Sequence, residues 1–432
     1  VHCWFCVYSE NLSRFPSGSF SFTNLVLADA TNHTQTRWQQ AKQTKKMKLL
    51  IWTFLLFTNI TIAQSNEKFL TESLTKEFTE LSDKNSIVGF SVAIVNRDSV
   101  LYAKGFGYSN KEKKKLYTKN TVQPIASISK TLAGVALMKA QEMGKLNLDD
   151  DINDYLPFKI INPYFPNSKI TIRNLATHSS SLRDSRSYSK TVIFKSDFCE
   201  LPKKTKKYFS NNWCRKCDKN KEIPLIDFLK NIYDSSGIWY KKNNFSKDNI
   251  GTEYNYCNNN ASIVAFIIEK ATGEKYYDFV QKQILEPLEM NNSSWLFDSN
   301  ESNNKSILYG NEIPLPEFKE IGYPDGSFVT NVVDFGNYLS SIISGYSGKN
   351  NILNSDSYKE MLTKQINEKF NSGIFWEVYS KTIGHSGENA GQSTYVYFDK
   401  ENLVGYILFG NTTDTKNLEK DEEEIIKILK KY

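Results

Sequence analysis

The sequence predicts an α/β (mixed α+β) protein. One antiparallel sheet layer is built from both ends of the chain and flanked by an N-terminal and a C-terminal helix, beside a central, mostly helical region. Three observations carry this. Period-two alternation at Val88, Phe90, Val92 and Ile94 marks a strand with one strongly apolar face near the start. Segments 392–398 and 403–410, joined by the turn-like Asp399-Lys400-Glu401-Asn402, mark strands near the end. Between them the apolar spacing is that of helices.

The elements follow in order. Leu70, Leu74, Phe78 and Leu81 line one face of a helix over 67–84. Asn96 to Ser99 turns the first strand into a second, Val100 to Phe106, giving a hairpin. The lysine-rich run 111–115 reads as a solvated loop. From Ser127 the pattern is helical and stops at Gly144, a C-cap residue. Asp149-Asp150-Asp151 lacks the glycine and spacing of a calcium loop and reads as helix-start charge. Residues 183–250, rich in Lys, Ser and Asn, look like an insertion. A helix pair surrounds Gly273, and 417–431 closes the chain with acids before lysines, as the helix dipole favours. The sheet layer is expected over about 64–125 and 370–432, and the helical part over about 126–369.

Composition narrows the function. The 432 residues are 40 % hydrophobic and 24 % charged, an ordinary globular profile. Met47-Lys48 opens an apolar run, Leu49 to Phe57, that ends in Thr61-Ile62-Ala63, the layout of a signal peptide over 47–63. Met47 is read as the start, with 1–46 as upstream sequence. The run is short of the roughly 20 residues a span needs, so a periplasmic or secreted protein without a stable membrane span is expected. The formal charge is +6; without residues 1–63, 48 basic face 46 acidic residues. A near-neutral chain argues against a nucleic-acid partner. Cys199, Cys214 and Cys217 lack a nearby His for a zinc site, so a disulfide from Cys199 to one of the other two is expected. No His/Asp/Glu cluster has metal spacing, and no cofactor is expected.

Three short motifs carry chemistry. Ser127-x-x-Lys130 puts an amine one helical turn from a hydroxyl at a helix start. A serine is a poor nucleophile until a base takes its proton. A lysine can do so if its pKa is lowered, and if Lys130 or Tyr256 must act unprotonated, activity falls on the acid side. Tyr256-x-Asn258 offers a phenol and an amide, and His385-Ser386-Gly387 an edge strand a substrate backbone can approach. Gly384-His385-Ser386-Gly387-Glu388 is not a nucleophile elbow, because its fifth residue is Glu. Tyr108-Ser109-Asn110 ends a strand and reads as structural, as does His178, a hydrogen-bonded His.

In this order the motifs resemble the serine β-lactamase-related family, the class C β-lactamase and penicillin-binding-protein-like branch, across roughly residues 70 to 430. The stretches Gly144-Lys145-Leu146, Thr177-His178-Ser179-Ser180 and Pro287-Leu288 agree. The resemblance implies a β-lactamase/transpeptidase-like fold over 64–432, with the site between sheet and helices. It implies that Ser127 is acylated, that Lys130 and Tyr256 move the proton, and that Asn258 orients the substrate or Lys130. His385, Ser386 and Gly387 would line the substrate, and the backbone N–H groups of Ser127 and Glu388 would hold the oxyanion. The partner would be a β-lactam, D-alanyl peptide or small ester. The other reading is a non-catalytic relative that binds cell-wall peptides or self-assembles. Ser181 and Glu388 stand where the family has Gly, and Ile250 where it has Pro; Glu388 is expected to crowd or charge the pocket.

Overall fold

Alternating apolar residues build strand β1 (Gly89–Asn96), and Asn96 turns it into β2 (Val100–Asn110) by accepting the N–H groups of Asp98 and Ser99 at 2.8 and 2.9 Å. The computed structural model describes residues 42, 44–47, 70–197, 200–212, 220–295 and 304–431. Residues 1–70 and 71–432 are separate units. In the first, 42 and 44–47 are helical and exposed; the architecture below is that of the second. Nearly all of the expected signal segment, and the three cysteines Cys199, Cys214 and Cys217, lie outside the described residues.

The other strands of the main sheet are β3 (Lys115–Leu116), β4 (Glu377–Val378), β5 (Thr382–Asn389), β6 (Gln392–Asp399) and β7 (Val404–Gly410). They form one antiparallel sheet in the order β4-β5-β6-β7-β1-β2-β3. The two ends of the chain meet at its centre, where β1 pairs with β7 from Phe90↔Gly410 to Asn96↔Val404.

Both faces of β1 are covered. Phe90, Val92 and Ile94 pack with Leu74 and Phe78 of the helix over 71–82 and with Ile425 and Leu429 of the C-terminal helix, Leu418–Leu429. Each such side chain contributes about 1.5–3 kcal/mol on burial. Ala93 and Val95 face the other way, into the core that includes Phe335, Leu339 and Ile343 of helix Val332–Tyr346. The single apolar face expected for β1 is therefore a partial reading. Its small-residue face is buried as well, because small side chains let a helix come close.

The helical region centres on two helices, Ser129–Glu142 and Asn259–Thr272, the second ending at Gly273 with φ +79°. Asp151 caps a short 3-10 turn (Ile152–Asp154), Asp149 pairs with Arg173, and Asp150 accepts the Tyr155 hydroxyl. Segment 183–250 is more than an insertion. Its helix Leu225–Tyr233 buries Phe228, Leu229, Ile232 and Tyr233 in the main core, and its strand Val192–Phe194 pairs with Phe318–Glu320. Among the described residues no helix is long and apolar enough to cross a membrane, and no group of three or more His, Cys, Asp or Glu is placed to hold a metal.

Candidate active site

Ser127 lies on a 3-10 turn, Ala126–Ile128, that leads into helix Ser129–Glu142. The preceding Ala126 has φ +48°, a left-handed conformation that costs a side-chain-bearing residue energy and persists only where the surroundings enforce it. The Ala126 N–H donates to Gln392 Oε1 (3.1 Å), and its carbonyl accepts Ser129 Oγ (2.6 Å). The serine is thus presented on a pinned corner.

Two side chains converge on it. Lys130 Nζ donates to Ser127 Oγ at 3.0 Å and to the Asp325 carbonyl oxygen at 2.5 Å. Tyr256 OH donates to Ser127 Oγ at 2.9 Å, and Lys130 Nζ lies 5.2 Å from the Tyr256 ring centroid. Lys130 is fully buried. Burial alone pushes its ammonium down, but Tyr256, Asp325 and Asp184 together outweigh burial and hold its pKa above the ordinary range. The lowered lysine pKa expected from the sequence is corrected here. The acids that reverse it come from segments far away in the chain.

The turn bearing Tyr256 is held from two sides. The His178 ring stacks on the Tyr256 ring at 4.4 Å between centroids. His178 Nδ1 accepts the Cys257 N–H (3.3 Å), so the ring proton is assigned to Nε2. Burial first, then the Lys130 charge and the neighbouring His385, push His178 well below its usual range. His178 is structural, as read, and it is also the platform beneath Tyr256. From the other side Asp184 accepts the Asn258 N–H (2.6 Å) and Asn258 Nδ2 (3.0 Å). The Asn258 amide is thereby engaged, and among the described residues it makes no hydrogen bond to Lys130. Its expected lysine-orienting role has no counterpart in the structure.

Strand β5 forms the far wall. A Cβ on Gly387 would sit 2.6 Å from Thr394 Oγ1 and 2.9 Å from both Ile125 O and Ser127 N. Only glycine lets the strand lie this close to the serine. His385 is buried, with Nδ1 2.5 Å from the Ser386 carbonyl oxygen. Burial lowers its pKa and Lys130 adds to this, while Glu377 opposes it. Its ring lies 6.4 Å from that of Tyr256. Ser386 and Glu388 are exposed and alternate with His385 and Gly387. Ser386 stands opposite Tyr395, and Glu388 opposite Ser393, whose hydroxyl donates to Glu422 of the C-terminal helix. Burial, then the charge of Glu388, pushes Glu422 up to about 7. Glu388 lines the cavity, and its charge also acts on Glu422 of this helix. Strand β4 pairs only with Ile383 and Gly384, so among the described residues no strand covers the β5 edge from His385 to Asn389.

Ser127, Asn258 and Glu388 open onto a cavity of about 910 Å³. The segment from Asp184 to Val192 supplies one side, with Arg186 and Lys190, and Glu320 and Asp325 supply acids. Burial raises the pKa of both acids, opposed by Lys130. Asp184, Glu320, Asp325 and the stacking of His178 went unread in the sequence. They reach the site only through tertiary contacts, and no local spacing signals them.

A family model described as Beta-lactamase matches residues 74–430. The Protein flp of Staphylococcus aureus (strain MRSA252) is 24 % identical over 337 residues, covering 76 % of this chain and 60 % of the relative. The chain thus spans about 60 % of the length of that curated relative. Among solved structures, the octameric penicillin-binding protein homologue from Pyrococcus abyssi aligns with a TM-score of 0.62 at 23 % identity, covering 80 % of this chain and 74 % of the other. A class C beta-lactamase aligns with a TM-score of 0.60 at 18 % identity, covering 84 % and 97 %. These two likenesses establish the fold.

Proposed function

Because the chain belongs to the beta-lactamase family, whose members are serine hydrolases or related to them, we propose that it is an exported hydrolase. It cleaves an amide or ester bond of a β-lactam, D-alanyl peptide or small ester through an acyl-enzyme on Ser127. One observation carries the reading: Lys130 Nζ and Tyr256 OH both lie within 3.0 Å of Ser127 Oγ. With Lys130 charged, the base is the Tyr256 oxygen as a phenolate: the phenol proton leaves to solvent first, and Ser127 then donates to that oxygen and becomes a nucleophile. The phenolate takes the Ser127 proton as Oγ attacks the carbonyl carbon, and the phenol so formed gives it to the leaving group. Lys130, kept charged, stabilises the negative charge that develops on Oγ. The backbone N–H groups of Ser127 and Glu388 hold the carbonyl oxygen, at about 2.7–4 kcal/mol each in the transition state. The open edge of β5 aligns the substrate backbone, and water then releases the acyl group. In the same reading Met47 to Ala63 directs export and residues 64–432 form the catalytic region.

The test is a covalent one. Folded protein is incubated with a fluorescent penicillin and with an activated phosphonate, and the adduct is mapped by mass spectrometry. A Ser127 adduct, lost in Ser127→Ala together with turnover, supports the reading. No adduct with either probe favours a peptide-binding relative without catalysis, and turnover surviving in Ser127→Ala refutes the mechanism.

A further inference from the structure

Asp184 stands outside the three motifs, yet it is the point on which the Tyr256–Asn258 turn hangs. Its Oδ2 accepts the Asn258 N–H at 2.6 Å and Asn258 Nδ2 at 3.0 Å. Its Oδ1 accepts Asn259 Nδ2 at 3.2 Å, Cys257 Sγ at 3.3 Å and the Asn259 N–H at 3.4 Å. Backbone N–H and amide NH2 groups can only donate. Burial raises the pKa of Asp184, and these donors with Lys130 oppose it, because a protonated carboxyl would turn its own O–H against them. The helix that begins here, Asn259–Thr272, has no side-chain cap of its own: Asn258 occupies the cap position and makes no capping bond. Asp184 supplies that cap from 74 positions earlier, as an anion at the positive end of a 14-residue helix.

We infer that Asp184 is a positioning residue for the reaction: one half-buried carboxylate fixes the turn that aims Tyr256 at Ser127 and supplies a negative charge that Lys130 faces. The inference rests on the Ser127 reading above. The groups that act on Lys130 are Tyr256, Asp325, Asp184 and Glu320, with His178 and His385 as neutral rings beside it. Those that act on or are acted on by Asp184 are Lys130, Asp325, Cys257, Tyr188 and Tyr233. Removing the Asp184 charge removes one of the acids that keep Lys130 protonated, so the lysine loses its charge at lower pH. A rate that needs the ammonium then falls earlier on the alkaline side.

The experiment compares wild type, Asp184→Asn, Asp184→Glu and Ser127→Ala, with acylation rates measured across pH and a thermal melt for each. In Asp184→Asn, an amide NH2 faces a row of donors, and kcat is expected to fall about 10- to 100-fold. Its alkaline limb is expected to move to lower pH, which a purely structural defect would not cause. In Asp184→Glu the charge remains but the longer side chain displaces the turn, so kcat falls while the limb stays at its wild-type position. A folded Asp184→Asn with kcat within twofold of wild type, or with its limb unmoved, overturns the inference. If Asp184→Asn does not fold, Asp184→Glu decides, and unchanged kcat or a displaced limb overturns it. Turnover surviving in Ser127→Ala is a separate failure, that of the Ser127 reading itself.

Discussion

Replacing Gly387 by Ala tests the contact on which the site is assembled. The added methyl would lie 2.9 Å from Ser127 N and Ile125 O and 2.6 Å from Thr394 Oγ1, where ordinary contact begins at 3.4 Å. Relief needs a retreat of 0.5 to 0.8 Å. Two of the three obstacles are backbone atoms, and both flank the corner that presents Ser127. Overpacking of this kind costs about 1–3 kcal/mol in stability. The larger effect is on rate, since a displacement of about 1 Å at reacting groups costs on the order of 100-fold. Gly387→Ala is therefore expected to slow acylation roughly 10- to 100-fold while lowering the melting temperature by only a few degrees. Single-turnover acylation by a fluorescent penicillin or activated ester, with parallel melts, reads both quantities. A variant that loses stability but acylates within twofold of wild type would refute the claim that this glycine sets the serine's position. A variant unchanged in both would mean that the strand does not lie so close.

Two further changes separate chemistry from packing. Tyr256→Phe removes the oxygen 2.9 Å from Ser127 Oγ but keeps the ring on His178; kcat should fall about 10²- to 10⁴-fold with little change in the melt, and a rate within threefold of wild type would exclude Tyr256 as the proton carrier. Glu422, pushed up to about 7 from 4.5, is protonated at pH 5 and ionised at pH 8 in the folded protein. The cost of its burial grows as pH rises from about 4.5 to about 7 and is fully present above 7, so Glu422→Gln should stabilise the protein at pH 8, on the order of 2 kcal/mol, with most of the gain gone at pH 5. Melts at both pH values check this, and an equal effect at each would count against it.

The sequence made the terminal strands legible because alternation and turn residues are local signals. It made Ser127, Lys130 and Tyr256 legible because their spacing and order are distinctive. The sign of the Lys130 shift was not legible. Reading it needs the acids around the amine, and Asp184, Glu320 and Asp325 lie from 54 to 195 positions away. The Asp184 cap on the Tyr256 turn escaped for the same reason. A run of Ser-Leu-Arg-Asp carries no periodicity, and only the fold shows where its carboxylate goes. The alternation in β1 marked one strongly apolar face but not the burial of the other, because small residues such as Ala93 also mark the place where a helix packs tightly.

The β1–β7 pairing sets a clock on the protein's assembly. Phe90 waits for Gly410, more than 300 positions later. At about 5–20 residues per second of synthesis, that is on the order of 15 to 60 s with one edge of β1 unpaired. Pairing at such separation also makes for slow closure once the chain is complete. The cleft beside Ser127 needs β5 and β6, so the nascent chain has no wall opposite its serine until its last strands arrive. A chain that cannot finish its sheet early stays open, with its serine unenclosed, while it is being made.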